Sequence, residues 1–391
     1  MLTNRQLFLN HVAQTSETPL MLEINRASGV FMYDSDNKPY LDLISGIGVS
    51  NIGHCHPKVV KAIQEQSEKY MHLMVYGEFI QSPQIVLAQR LITTLPKPLE
   101  SVYFVNSGTE ATEGALKLAK RYTGRTEMIS CYNSYHGSSQ GSLSVMGNEL
   151  FKQAYRPLLP GIKHITYNKI DDLNVISEQT ACVIIETIQG EAGVRIASQE
   201  YMKALSNKCT STGTLLIIDE IQCGFGRTGT FWAFEKYGIT PDILLTAKGM
   251  GGGMPIGAFI SSNKIMHSLT HNPVLGHLTT FGGHPVSCAA AIACIDVIES
   301  EQLLADVSKK EQLFHKHLTH SGIQEIRSSG LMMAVEFESY VVLKKIIDQA
   351  IQKGVLTDWF LFCDNSMRIA PPLIITESQI IEACEIISGC N

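Results

Sequence analysis

The sequence predicts an α/β protein: a largely parallel sheet covered by helices on both faces, followed by a smaller α+β domain. Three observations predict it. Continuous apolar runs (ACVIIE at 181–186, TLLIID at 214–219, ILLTA at 243–247) read as strands buried on both faces. Stretches with apolar residues at helical spacing alternate with them, as in a parallel sheet wound with helices. After about Glu299 the texture changes to shorter, more mixed segments.

In chain order, Pro57 opens a helix with Val59, Val60, Ile63, Tyr70 and Met71 at helical spacing. Residues 82–94 predict a second helix. Residues 101–105 form a short β-rich run, followed by Asn106-Ser107-Gly108 and a helix through Arg121. The strand at 181–186 is followed by a helix at 200–209, then strands at 214–219, 243–247 and 256–260. An Ala-rich helix runs from Pro285 to about Glu299. Beyond it, strands at 335–337 and 367–369 flank a helix near 341–353. With no internal repeat, low-complexity tract or Pro/Ser linker, the two domains are expected to share a broad interface. The expected division is a large domain over 51–290 and a small domain over 291–391, with 1–50 joining the small one.

Composition excludes several classes. The 391 residues are 45% hydrophobic and 17% charged, which is not the profile of a disordered chain. Lys and Arg number 31 against 37 Asp and Glu, a net charge of −6, which argues against a nucleic-acid or anionic-membrane surface. The N-terminal stretch reads as no signal peptide, and the apolar runs are too short or interrupted to span a bilayer. None of the ten cysteines is spaced C-x-x-C, so they are expected to be buried, reduced thiols in a cytoplasm.

Four constellations carry candidate chemistry. Ser107 followed by Glu110 forms a capping-box pattern at a helix start, where free N–H groups can bind an anion; an ordinary N-cap is the alternative. Asp219 follows a buried strand, at the end of the sheet where α/β folds bind ligands; a capping Asp is the alternative. Lys248 ends an apolar strand just before Gly249-Met250-Gly251-Gly252-Gly253. A partly desolvated Lys there has a lowered pKa and can form a Schiff base, whereas a snorkelling surface Lys fits the apolar strand less well. Gly224, Gly226 and Gly229 match G-x-G-x-x-G, but Asp219 to Cys223 intervene between strand and glycines, which weakens a nicotinamide-dependent oxidoreductase reading. His54-Cys55-His56 reads as a loop before Pro57 and not as a metal site.

Together these motifs resemble the class III aminotransferases, pyridoxal 5'-phosphate enzymes of fold type I, with acetylornithine, ornithine and 4-aminobutyrate aminotransferases as the similar members. The stretches that carry the resemblance are GHCHPKVV, NSGTEA, YHG, ETIQGEAGV, DEIQCGFGRTG, AKGMGGGMPIGA, TTFGGHP and RIAPPL, in that order over nearly the whole chain. The resemblance implies a mostly parallel seven-stranded sheet in the large domain and a homodimer with its cofactor site shared across subunits. It implies that Lys248 carries the cofactor as a Schiff base and acts as general base, and that Asp219 pairs with the pyridinium nitrogen. By the same resemblance, Ser107, Gly108 and Thr109 bind the phosphate, and Thr280 adds a hydroxyl to the neighbouring subunit's phosphate. Tyr135 stacks on the ring with His136 beside it in the motif, Gln222 bonds the phenolic oxygen, and Glu186 supports Asp219. Arg227 is structural. Arg368 grips the carboxylate of glutamate or 2-oxoglutarate, and Glu191 pairs with it when the other substrate is bound. Residues 46–50 and 74–78 line the substrate tunnel.

Two departures stand out. Glu186-Thr187 replaces the common Glu-Pro, with an expected effect on a local turn. Ser138 stands where the named enzymes carry an Arg for the donor's far carboxylate; Arg26, Arg156 and Lys152 are conceivable substitutes. The expected reaction moves a terminal amino group from an ω-amino acid, diamine or amine to 2-oxoglutarate or another 2-oxo acid. A mutase or lyase of the same fold is the alternative, against which the Glu191 and Arg368 pair argues.

Overall fold

In the computed structural model, which describes residues 2–75 and 77–391, the core of the fold is a seven-stranded sheet. Its spatial order is Ser101–Val105, Gly257–Ser261, Ile243–Thr246, Leu215–Asp219, Thr180–Glu186, Glu127–Cys131, Ile162–Ile165. Only Gly257–Ser261 runs antiparallel to its neighbours. The central strands Thr180–Glu186, Leu215–Asp219 and Ile243–Thr246 are buried at every position, as continuous apolar runs require when helices cover both faces.

Glu127–Cys131 and Ile162–Ile165 were not legible as strands, because EMISC and IKHI mix polar with apolar residues and neither run is long. They take strand form because each can pair with a buried neighbour. On one face, helix Gly108–Thr123 lies against strand Gly257–Ser261 so closely that a Cβ on Gly114 would stand 2.3 Å from the Phe259 ring. That contact sets the depth of the helix, and with it the height of its N-terminus above the sheet.

Helix Pro57–Lys69 stops short of the expected Tyr70 and Met71. Tyr70 turns to extended backbone, and Met71 is exposed. Helix Pro285–Ser300 packs against Pro57–Lys69 and Ser82–Thr93. It crosses position 290, so we propose that the division between large and small domains falls after it.

The C-terminal region holds an antiparallel sheet in the order Glu325–Ser328, Met333–Glu336, Cys363–Ile369, Asp358–Phe360. A third sheet joins Ile24–Ser28, Phe31–Asp34 and Pro39–Asp42 to Val355–Leu356. Its last pairing, Leu41 with Val355 and Asp42 with Leu356, ties the N-terminal segment to the C-terminal region, in support of the proposed grouping of 1–50 with the small domain.

Eight of the ten cysteines are buried. Cys55 is exposed and Cys363 half-buried, against the expectation that all are enclosed. No helix among the described residues is long and apolar enough to cross a membrane. His54 hydrogen-bonds Asp42 across 2.7 Å, and His56 Nδ1 accepts from the Lys58 N–H at the start of helix Pro57–Lys69.

Candidate active site

A cleft of about 440 Å³ opens at the C-terminal ends of the parallel strands. Its lining includes Ser107, Gly108, Thr109, Tyr135, His136, Ser138, Glu186, Asp219, Gln222 and Lys248, which lie far apart in sequence. The carboxyl ends of adjacent parallel strands bring Glu186 and Asp219 into register as partners, so two acids arrive side by side.

Asp219 is buried. Its Oδ1 accepts from the Ile221 N–H at 2.9 Å, and its Oδ2 lies 2.7 Å from His136 Nδ1. Facing a carboxylate, that ring nitrogen is the donor. His136 Nε2 is buried without a hydrogen-bond partner among the described residues, and His136 lines the cleft. Glu186 accepts from the Tyr135 and Gly190 N–H groups. Desolvation, with the Asp219 charge adding to it, pushes its carboxyl well above the usual range.

Lys248 stands two residues beyond strand Ile243–Thr246 and opens a single turn of 3₁₀ helix in the left-handed region, with φ of 44°. Such a conformation strains a residue with a Cβ by roughly 1–3 kcal/mol and persists only where its surroundings hold it. Burial lowers the Lys248 ammonium below its ordinary pKa, opposed by the nearby Glu191 carboxylate. The expectation of a partly desolvated lysine therefore holds.

Helix Gly108–Thr123 presents its N-terminus to the cleft. Ser107 caps it, accepting from the Glu110 N–H at 3.3 Å. Glu110 does not complete the capping box. Its carboxylate reaches one residue further back, to the N–H and side-chain amide of Asn106. Thr109 Oγ1 joins Ser139 and Ser142 hydroxyls at 2.7 and 2.6 Å, and Glu113 accepts from Ser139 Oγ and the Gly141 and Ser142 N–H groups. Glu113 thus holds the 137–142 turn beside the helix start. Sequence reasoning missed it; only its place on the same helix one turn after Thr109 hinted at it.

Arg368 and Glu191 do not line the cleft. They form a buried pair behind Gln222, with Arg368 Nη1 and Nη2 each 3.0 Å from one Glu191 oxygen. Gln222 donates to Glu191 at 2.9 Å and lines both the cleft and the crevice over Arg368. Desolvation would raise the Glu191 carboxyl, but the Arg368 guanidinium outweighs it and holds it down to about 2. Asp358, absent from the sequence reading, takes Arg368 Nε at 2.9 Å.

Other expectations fare differently. Ile47, Gly48 and Val49 border the cleft or the crevice. Val75, Gly77 and Glu78 line a separate groove of about 910 Å³ that runs beside strand Ser101–Val105, not the cleft of the same chain; Tyr76 lies outside the described residues. Thr280 is exposed and also lies outside the cleft. Lys152 donates to the Met146 carbonyl, Arg156 is paired with Glu149, and Arg26 stacks on Tyr33, so none of the three replaces an arginine at Ser138 within this cleft. No α-helix follows Gly224, Gly226 and Gly229 before strand Ile243–Thr246, only the short 3₁₀ turn Ala233–Tyr237, which leaves no α-helix N-terminus for a dinucleotide. Arg227 is fully buried and binds Asn51 and the Leu331 and Pro371 carbonyls, joining three distant segments.

Thr187 does more than shape a turn. Its hydroxyl donates to Glu220, a fully buried carboxylate that also accepts from the Ala233 and Phe234 N–H groups. A proline at 187 could not make that bond.

The Aminotransferase class-III family model matches residues 12–390. The acetylornithine aminotransferase of Methanocaldococcus jannaschii is 39% identical over 369 residues, covering 90% of this chain and 89% of the relative. That of Aquifex aeolicus is 38% identical over 94% of this chain and 96% of its own. Among solved structures, an ornithine aminotransferase from Toxoplasma gondii, described with partial occupancy of PLP at its active site, is 28% identical with a TM-score of 0.91, over 97% of this chain and 91% of that one. The family match, the fold and the cleft lead to one conclusion: the chain belongs to the class III aminotransferases, the pyridoxal-phosphate-dependent transaminases.

Proposed function

We propose that the enzyme transfers the terminal amino group of an ω-amino acid, diamine or other primary amine to 2-oxoglutarate or a related 2-oxo acid. The observation that carries this reading is the buried Glu191 and Arg368 pair beside Lys248. A guanidinium that can be bound end-on by an internal carboxylate can exchange it for a substrate carboxylate. One site then serves two chemically different substrates.

The cleft fits pyridoxal phosphate. A helix N-terminus with Ser107, Gly108 and Thr109 suits the phosphate, and the buried, unpartnered His136 Nε2 beside Asp219 suits a polar ligand. Bound there, the cofactor supplies an electron sink for the substrate carbanion. In this reading Lys248 would hold it through Nζ, and the same amine would serve as the base that moves the substrate proton. Asp219, oriented by His136 and Ile221, would hold the proton on the ring nitrogen. Glu186, whose carboxyl is pushed up by burial, accepts from the Tyr135 and Gly190 N–H groups and so would steady that backbone beside Asp219. Tyr135 and Gln222, which line the cleft, would hold the ring face and the phenolic oxygen.

Ser138 sets the donor. It lies exposed at the cleft, and Tyr135, Phe362 and Phe151 form an aromatic chain beside it. A carboxylate at the far end of the donor would meet at most one neutral hydroxyl there, worth on the order of 1 kcal/mol net. A donor with a carboxylate at that end is therefore proposed to be used less well than an amine without one.

The proposal includes a homodimer in a cytoplasmic setting. Ile80 at 93% exposure, Val274 at 71% and Phe79 line the 910 Å³ groove, which Thr279 and Gly282 also border, and a second copy is the occupant we assign to this apolar face. Ten cysteines without a disulfide suit a reducing compartment. The test of function is a screen of amine donors with 2-oxoglutarate and pyruvate as acceptors. Transfer from one or more ω-amines to 2-oxoglutarate is expected, and its absence across diamines, ω-amino acids and monoamines would overturn the reading. Sedimentation is expected to give a dimer; an active monomer contradicts it.

A further inference from the structure

Arg368 is held from four directions. Glu191 binds its guanidinium end-on, Asp358 takes Nε at 2.9 Å, the Trp359 carbonyl accepts from Nη2 at 3.3 Å, and the Phe360 ring lies 4.5 Å below. Three of these four come from one short strand, Asp358–Phe360, which pairs with Arg368's own strand; Asp358 and Arg368 are direct partners in the register. Glu191 alone comes from elsewhere, on the turn after Ile188–Gln189.

The difference matters when Glu191 is displaced. Arg368 and Glu191 side chains are each 4% exposed, whereas Asp358 keeps 29%. A buried guanidinium stripped of its only carboxylate would be an uncompensated charge, one of the most unfavourable arrangements in a protein interior. With Asp358 on Nε, the charge stays compensated while the end of the guanidinium is empty. Asp358 also shares the positive charge, so Glu191 is held less tightly than by an otherwise unpaired arginine.

We propose that Asp358 is a positioning residue that keeps Arg368 fixed and charge-compensated while Glu191 gives up the guanidinium end to an acceptor carboxylate. It acts through Arg368 and does not touch the acceptor. This rests on the reading that Arg368 takes the acceptor's carboxylate.

Asp358→Asn is the informative substitution, because its amide oxygen still accepts from Nε while the charge is gone. Binding of glutarate, a dicarboxylate with no oxo group to react, is followed in the holoenzyme by stopped-flow fluorescence. Trp359, one of only two tryptophans, supplies the signal. Asp358→Asn is expected to slow both association and dissociation about tenfold and to leave the Kd within about twofold. A residue that merely propped up the fold would weaken Kd instead. In a Glu191→Gln background, where no charged gate remains, Asp358→Asn is expected to cause no further slowing, a non-additivity that identifies the shared step. Unchanged association in Asp358→Asn, or the same slowing with and without Glu191→Gln, overturns the proposal. Arg368→Ala separates the two levels. If it still binds glutarate at wild-type affinity, the reading of Arg368 itself fails. If it loses glutarate while Asp358→Asn exchanges at the wild-type rate, only the role of Asp358 fails.

Discussion

His136 Nδ1 and Asp219 Oδ2 stand 2.7 Å apart, with the His136 side chain fully enclosed and that of Asp219 5% exposed. The remaining carboxylate oxygen is held by the Ile221 N–H. The acid is thus pinned from the strand end on one side and from the 135–137 turn on the other, at the edge of the cleft. A carboxylate fixed in this way is suited to hold a proton on a ring nitrogen opposite it.

Asp219→Asn is therefore expected to reduce turnover by about 100-fold or more, on the order of 3 kcal/mol of barrier. Folding should suffer far less, since the amide oxygen can still accept from Ile221. Steady-state rates and a thermal melt check this, and an Asp219→Asn enzyme with near wild-type turnover rules out the role.

Lys248→Ala should abolish turnover in a protein that still folds. Alanine removes the lysine's amine from the end of the strand without disturbing the fully buried Ile243–Thr246. In the wild type, borohydride reduction followed by peptide mapping is expected to find the pyridoxyl group on Lys248. Its appearance on any other lysine defeats the assignment.

Ser138→Arg should raise kcat/KM for 4-aminobutyrate by about tenfold or more, equivalent to ~1.4 kcal/mol of transition-state binding. In the wild type, acetylornithine and 4-aminobutyrate should be poor donors compared with amines that lack a far carboxylate. Comparing acetylornithine, ornithine, 4-aminobutyrate, lysine and putrescine in both enzymes decides the matter. Efficient use of acetylornithine by the wild type would show that a cation reaches the site from outside this cleft.

Thr187→Val should destabilise the fold by roughly 1–3 kcal/mol, because it leaves the buried Glu220 carboxylate one donor short. Burial already pushes Glu220 up to about 7 in the folded chain, against 4.5 ordinarily, and the Thr187 hydroxyl opposes that rise. A raised acid binds its proton more tightly when folded, so the stability it contributes is present at pH 4 and lost as pH climbs towards 7. Removing Thr187 raises the group further. The loss should thus be larger at pH 8 than at pH 5 in denaturant titrations; a pH-independent loss argues against Glu220 as the cause.

Sequence alone determined the fold class and the identities of the candidate chemical groups. Continuous apolar runs such as TLLIID can be satisfied only by burial on both faces, and a lysine between such a strand and a glycine cluster leaves few alternatives. Short mixed strands such as EMISC and IKHI were illegible, because their burial depends on neighbours that pair with them from distant parts of the chain. Only the tertiary structure decided how burial shifts these groups and which partners hold them. The pairing of Glu186 with Asp219, the second carboxylate on Arg368 and the Thr187 bond to Glu220 each join residues 10 to 33 positions apart in sequence. Desolvation and hydrogen bonding act through space, so no local pattern along the chain carries a signal for them.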